Sequence, residues 1–335
     1  MALNLPQYNK FALVREMLQT PSIIGNFSTK DLKAPITSIK KTNKLFLTGE
    51  GSSRIFPAKN ALYTALKNNI PLTIHTEGSR QAAELSLKGY TLFGASNSGK
   101  TKELISLFKN KKSFSKFALT ENKGSPLIKL SDDSFILSCG KEDAVSASKT
   151  VIEEALFYQT LLSEFSGKKI KKNTLKKLSK KASKALTMPV DNAIISKIAK
   201  SKLLYFSGRN NGVAEEAALK TNEIIRKKSS YLEGTYAVHG IEEVMEKKET
   251  IIVIDPFKEE EGKFREVFID SIGMDVIAVS SRKTSFPTIK IPSMPGYDGY
   301  LQLLACWNLL VEAGIKLRIN LDQPVRARKI GNEHI

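Results

Sequence analysis

The chain passes twice through one cycle: an apolar run of strand length, a turn rich in glycine or hydroxyl side chains, then a stretch with helical apolar spacing. In the first half the strand candidates are Leu45 to Leu47, Leu72 to His75, Tyr90 to Ala95, Phe117 to Thr120 and Phe135 to Ser138. Helical spacing occupies Ala58 to Leu66, Gln81 to Leu87, a stretch from Leu104, and Ser148 to Leu162. The second half has strand candidates at Leu203 to Phe206, Ile251 to Ile254 and Val276 to Val279, with helices predicted over Val213 to Lys227 and Tyr300 to Ala313. Short strands alternating with helices predict parallel sheets, because parallel neighbours need a crossover and the crossover helices cover both sheet faces. Two such series predict two α/β domains. A length of 335 residues with 41% hydrophobic positions supplies material for both cores. The expected division is a helical segment over 1–40, a first domain over 41–166, a linker helix over 167–200, a second domain over 201–320 and a tail over 321–335.

No apolar run approaches the roughly 20 residues that cross a bilayer. Met1 to Lys30 lacks the basic-then-apolar order of a signal peptide, so the chain is expected to be soluble and cytoplasmic, with no membrane partner. Cys139 and Cys306 each sit in an apolar run and not at metal-ligand spacing, as reduced core thiols would. No metal and no cofactor are expected. The net charge of +18 invites a nucleic-acid partner, since clustered lysines gain affinity for phosphate backbones by counterion release. Its densest cluster, Lys168 to Lys184, however, intersperses Ile170, Leu175, Leu178, Ala182 and Ala185 at helical intervals. That is the pattern of a solvated face on an amphipathic helix, and with no zinc-finger spacing or aromatic-rich run a nucleic-acid partner is not expected.

Ligands of open parallel sheets bind beyond the carboxyl ends of the strands, where loops enter helices. The loop Ser96-Asn97-Ser98-Gly99-Lys100-Thr101 fits that place. It offers three hydroxyls and an amide ahead of a helix whose first N–H groups favour an anion. A helix cap is the alternative, but one hydroxyl suffices for a cap and four polar side chains point to phosphate. The loop is too short to wrap a triphosphate, so a monophosphate is expected. Gly51-Ser52-Ser53 is too short for a dinucleotide fingerprint. Acid–base candidates are few: His239 follows a turn-forming stretch, and Lys220 and Glu223 share one helix face, as an ion pair or as part of a site.

In this order the pieces resemble the sugar isomerase (SIS) family, above all the isomerase half of glucosamine-6-phosphate synthases. The matching pieces are Gly49-Glu50-Gly51-Ser52-Ser53, Ser96 to Thr101, Ser125-Pro126-Leu127 with Ser131-Asp132, and Val145-Ser146-Ala147-Ser148-Lys149. Glu216-Ala217-Ala218-Leu219-Lys220 with Glu223, His239-Gly240, and Asp322-Gln323-Pro324 with Lys329 complete the series. The resemblance implies two flavodoxin-like SIS domains and a homodimer with its active site at the subunit interface. It implies that Ser53, Ser96, Asn97, Ser98 and Thr101 hold the 6-phosphate of a hexose, with Ser52, Val145 and Lys220 against the sugar. Glu223 would move a proton between C1 and C2, His239 would open the ring from the neighbouring subunit, and Lys329 would meet the open-chain carbonyl.

The chain departs from the synthase pattern at three places. Lys100 stands where the synthase has an acidic residue, Ile241 follows His239-Gly240 in place of proline, and the residues around Lys329 lose the family pattern. With no glutaminase domain and no N-terminal cysteine nucleophile, glutamine-dependent transfer by this chain alone is not expected. The expected activity is deamination of glucosamine 6-phosphate to fructose 6-phosphate. A fructosamine 6-phosphate deglycase and an aldose–ketose isomerase are the alternatives within the class, and a non-catalytic sugar-phosphate-binding regulator lies outside it.

Overall fold

A parallel strand buried on both faces needs a near-continuous apolar run, and the central strands of both halves have one. A computed structural model describes residue 3 and residues 5–326 of the chain. Helices α1 (Ala12–Asn26) and α2 (Lys33–Thr42) lead into the first series. There β1 (Lys44–Gly49), α3 (Ile55–Lys67), β2 (Thr73–Gly78), α4 (Ser79–Ala82), β3 (Thr91–Ala95) and α5 (Lys102–Asn110) follow one another. The series continues through β4 (Ser115–Thr120), α6 (Pro126–Lys129) and β5 (Asp133–Ile136) to α7 (Lys149–Phe165). Helices α8 (Lys172–Thr187) and α9 (Asn192–Lys200) precede β6 (Leu203–Gly208), α10 (Val213–Lys220), β7 (Lys228–Glu233) and β8 (Thr250–Ile254). Then come α11 (Glu261–Phe264), β9 (Asp275–Ser280), β10 (Thr288–Lys290) and α12 (Asp298–Lys316).

Two five-stranded sheets result, with orders β2-β1-β3-β4-β5 and β10-β9-β8-β6-β7, and every pair is parallel. The two orders are the same flavodoxin-like pattern, as the duplicated strand–loop–helix rhythm predicts. The chain divides into two compact units. One holds the first sheet, within Ser22–Asp143 and Ala147–Ser179; the other holds the second sheet, with the described residues up to Pro21, Ala144–Ser146 and those from Lys180.

Aromatic side chains fill the core of the first unit. Phe93 stacks on Phe117 with ring centroids 5.0 Å apart, and Phe135 meets Phe157 at 4.8 Å. Each such buried ring contributes about 1.5–3 kcal/mol. Helix α7 is buried on every side from Lys149 to Leu162, and its Glu153 accepts hydrogen bonds from the Ser138 and Cys139 amides at 2.8 and 2.7 Å. The helix thereby pins the segment that leaves β5. In the second unit every residue of β8 is buried, and α12 is buried from Tyr300 to Gly314. Among the described residues no helix is long and apolar enough to cross a membrane. Both cysteines are buried thiols; burial pushes Cys139 well above the ordinary thiol range and Cys306 up to about 12.

Four expectations need correction. The helix predicted over Gln81 to Leu87 is a single turn, Ser79–Ala82, because the next residues turn back toward β3. The stretch predicted as one linker helix is two, parted at Pro189, with α9 capped by the Asp191 carboxylate accepting from the Ala193 amide at 2.8 Å. The helix predicted over Val213 to Lys227 stops being α-helical at Lys220, and Lys228 already begins β7. Strands β7 and β10 do not appear among the strand candidates at all. Both are edge strands, each paired on one side and only partly buried, so neither shows an apolar run.

Candidate active site

The first sheet reverses its winding between β1 and β3, which lie side by side with Thr48 opposite Gly94. The loops that follow these two strands therefore leave the sheet together, at the switch point where such sheets bind ligands. Their backbones nearly touch: a Cβ on Gly49 would stand 2.8 Å from the Ala95 carbonyl oxygen.

After β3 the chain folds into a tight cradle. The Gly99 amide donates to the Ser96 carbonyl and to Ser96 Oγ, at 3.0 and 3.1 Å. Gly99 has φ +62°, and a Cβ there would stand 2.3 Å from Ser125 Oγ and 2.9 Å from Thr120 Oγ1, so no other residue fits. Thr120 Oγ1 donates to the Asn97 carbonyl at 2.9 Å, and Asn122 Nδ2 donates to the Ser98 carbonyl at 3.0 Å. The loop carbonyls are thus satisfied from behind. Thr101 stands at the cap position of α5 but makes no capping bond; its hydroxyl pairs with Ser96 Oγ at 2.9 Å. The Ser96 and Ser98 hydroxyls accept from the Gly99 and Lys100 amides at 3.1 and 3.2 Å, bracing the loop itself ahead of α5.

A cleft of about 620 Å³ opens above the cradle, within the size range of small-molecule sites. Ser53, Ser96, Asn97, Ser98, Lys100 and Thr101 line it, together with Glu121, Asn122 and the segment 141–143 with Ala147. All five residues expected at a phosphate meet in this one cleft. Ser52 is buried in the turn Gly51–Ser53 and is not among the residues that line the cleft. Lys100 and Lys141 bring positive charge to the cleft, and Glu121, Glu142 and Asp143 bring negative charge. The Glu142 carboxylate is shared: its Oε1 accepts from the Ser148 and Thr150 amides, at 2.8 and 3.3 Å, at the start of α7, and its Oε2 accepts from Asn97 Nδ2 in the cleft at 3.5 Å. Glu142 was not foreseen, since a carboxylate six residues ahead of the capped position matches no local capping pattern.

The second unit holds the carboxylate. Helix α10 ends at Lys220 and continues as one wide π turn, Thr221–Ile225, closed by Arg226 in the left-handed region with φ 54°. Such turns recur at functional sites because they re-aim a side chain out of helical register. Glu223 lies within this turn. Its Oε2 accepts from Lys220 Nζ and from Ser146 Oγ, both at 2.8 Å. Lys220 is wholly buried, and its ammonium lies 3.4 Å from the buried Glu216 carboxylate, so this is no surface ion pair. The arrangement anchors Oε2 with two donors, while Oε1 makes no hydrogen bond among the described residues. A carboxylate held by one oxygen presents the other as a proton acceptor.

Sequence reasoning names Lys220 and Glu223 but misses Ser146 as their partner. Glu216 and Ser146 both fall inside motifs quoted for the resemblance, which is the signal that could have marked them. Val145, beside Ser146, is half-buried in the bend 144–146. His239 follows the turn Tyr236–Val238 and is exposed, and its ring makes no hydrogen bond among the described residues. Lys329 lies outside the described residues.

Neither a protein-family model nor a curated protein matches this sequence. Solved structures do match. The C-terminal domain of glucosamine-fructose-6-phosphate aminotransferase from Francisella tularensis superposes with TM-score 0.79 at 16% identity, covering 96% of this chain and 100% of that one. The fold is the double sugar-isomerase fold. Tagatose-6-phosphate ketose/aldose isomerase from Escherichia coli shares it with TM-score 0.79 at 15% identity, over 96% of this chain and 98% of that one. Glucosamine-6-phosphate deaminase from Thermotoga maritima shares it with TM-score 0.71 at 18% identity, over 95% of this chain and 98% of the other. At these identities the likeness establishes the SIS fold, two parallel α/β domains in one chain.

Proposed function

We propose that the chain is a phosphosugar enzyme acting at C1 and C2 of a hexose 6-phosphate, with glucosamine 6-phosphate deaminated to fructose 6-phosphate as its reaction. The observation that carries this reading is the 620 Å³ cleft, in which Ser53, Ser96, Asn97, Ser98 and Thr101 converge at the switch point of a parallel sheet. Hydroxyls and the first amides of α5 are suited to a phosphate dianion, and Lys100 adds charge to it. Among structures of the same fold are a ketose/aldose isomerase and a glucosamine-6-phosphate deaminase, which supports the reaction class.

In the open-chain aldehyde, Oε1 of Glu223 takes the proton from C2 while the carbonyl oxygen at C1 is protonated, giving a C1=C2 enolamine. The carboxyl then returns its proton to C1. The electron pair of the amine forms a C2=N imine, which water hydrolyses to the ketone and ammonia. Lys220 and Ser146 hold Oε2 throughout, so the base keeps one orientation for both proton transfers. His239 opens the ring and Lys329 meets the carbonyl in this reading, with the enzyme acting as a homodimer.

Incubation with glucosamine 6-phosphate, fructose 6-phosphate and a fructosamine 6-phosphate, with assays for ammonia, free amine and aldose, tests it. Ammonia from glucosamine 6-phosphate is expected, and Glu223→Gln should lower kcat by about 10²–10⁴ with binding retained. Free amine from the fructosamine ester alone would make the chain a deglycase. Binding of all three without turnover would make it a sugar-phosphate sensor.

A further inference from the structure

Half of the chain's net charge of +18 sits in one short segment. Nine lysines occur between Lys168 and Lys184, and no aspartate or glutamate occurs from Phe165 through Val190. Spacing alone reads this as a solvated amphipathic face; the structure adds what each face does. The apolar side of α8, Leu175, Leu178, Ala182, Ala185 and Leu186, is buried in the fold. Lys172, Lys176, Lys177, Lys180 and Lys184 are exposed, and none has an ion pair or side-chain hydrogen bond among the described residues. Lys172, Lys176, Lys180 and Lys184 repeat every fourth residue, which makes a row of ammonium groups about 18 Å long that winds about a third of a turn around the helix. Like charges at that spacing repel, so the row opposes the helix that carries it. No carboxylate among the described residues pairs with these lysines to relieve the repulsion.

We propose that the lysine row of α8 docks on the phosphate backbone of a nucleic acid without reading its sequence. An extended row of point charges complements an extended row of phosphates and gains by releasing counterions. The row has no arginine, glutamine or aromatic side chain with which to read base edges or stack on bases. Insertion into an anionic membrane would need an exposed apolar face, and that of α8 is already buried. A protein partner fits poorly, because interface cores favour aromatic residues and arginine and disfavour lysine.

The test is fluorescence anisotropy of the full chain with a labelled mixed-sequence RNA of about 20 nucleotides, across a salt series starting near 50 mM. Affinity should fall linearly on logarithmic axes as salt rises. The combined variant Lys172→Gln, Lys176→Gln, Lys180→Gln and Lys184→Gln should lose at least about tenfold in affinity and flatten the salt slope by about 3. Lys and Gln have similar helix propensity, so the variant keeps its circular dichroism, and its turnover of sugar phosphate should equal that of the parent. That readout separates failure here from failure of the enzymatic reading. A control variant with Lys40, Lys41, Lys88 and Lys258 changed to Gln has the same net charge and should stay within about twofold of the parent. The proposal is overturned if the parent does not bind, if the control loses as much as the α8 variant, or if phosphatidylserine vesicles are bound and RNA is not.

Discussion

Gly99 shows how far one residue can be read locally. A glycine between hydroxyls after a strand is visible in the sequence, but its φ of +62° and the 2.3 Å approach of Ser125 Oγ come from how β3 and β4 bring their loops together. Gly99→Ala should therefore destabilise the fold by about 1–3 kcal/mol and raise KM for the sugar phosphate, measured by denaturant titration and steady-state kinetics. Glu312 had no signal. It sits in an apolar helix, buried, with both oxygens accepting from Tyr8 Oη at 3.0 Å, and burial holds its carboxyl above the usual range. A carboxyl whose folded pKa is raised costs stability once it ionises, so its contribution is present at low pH and lost as pH rises through the folded value. Glu312→Gln should accordingly be more stable than the parent at pH near 8, with the gap closing toward pH near 4, in unfolding titrations run at both. Of the two partners of Glu223, Lys220 was legible three positions away on the same helix face, while Ser146 was equally hidden, 77 positions away in the chain.

At the scale of elements, apolar runs predicted the central strands because a strand covered on both faces must be apolar throughout. β7 and β10 escaped notice for the opposite reason: an edge strand needs pairing on one side only, and polar residues serve there as well as apolar ones. The wide turn at Thr221–Ile225 could not be read either. Thr221-Asn222-Glu223-Ile224-Ile225 contains no glycine or proline that would mark a departure from the α-helix. Deleting Asn222 should let the α-helix run on and swing Glu223 by about 100°. We expect a loss in kcat of about a hundredfold with circular dichroism little changed, since small misplacements of a catalytic group cost that much.

The whole molecule is two compact units, each with its own parallel sheet and core, and the proposed phosphate cleft belongs entirely to the first. Inorganic phosphate, which would occupy this cleft without the sugar end of the substrate, should therefore stabilise that unit selectively. At about 100 times its Kd it adds about 2.7 kcal/mol, and calorimetry should show the transition of the first unit moving up by several degrees while any separate transition of the second stays in place. Equal movement of two resolved transitions would contradict a cleft confined to the first unit. Taken by itself, the sequence determined the alternation of strands and helices, hence two parallel sheets, and it determined the hydroxyl loop at Ser96 to Thr101, because periodicity and loop chemistry are local properties of a chain. Tertiary structure alone decided that Ser53 joins that loop in one cleft, that Lys220 is buried between Glu216 and Glu223, that Ser146 holds Oε2, and that the lysines of α8 are left without partners. Those facts concern which distant residues meet, and that is set by packing whole elements against one another, for which no short stretch of sequence carries a signal.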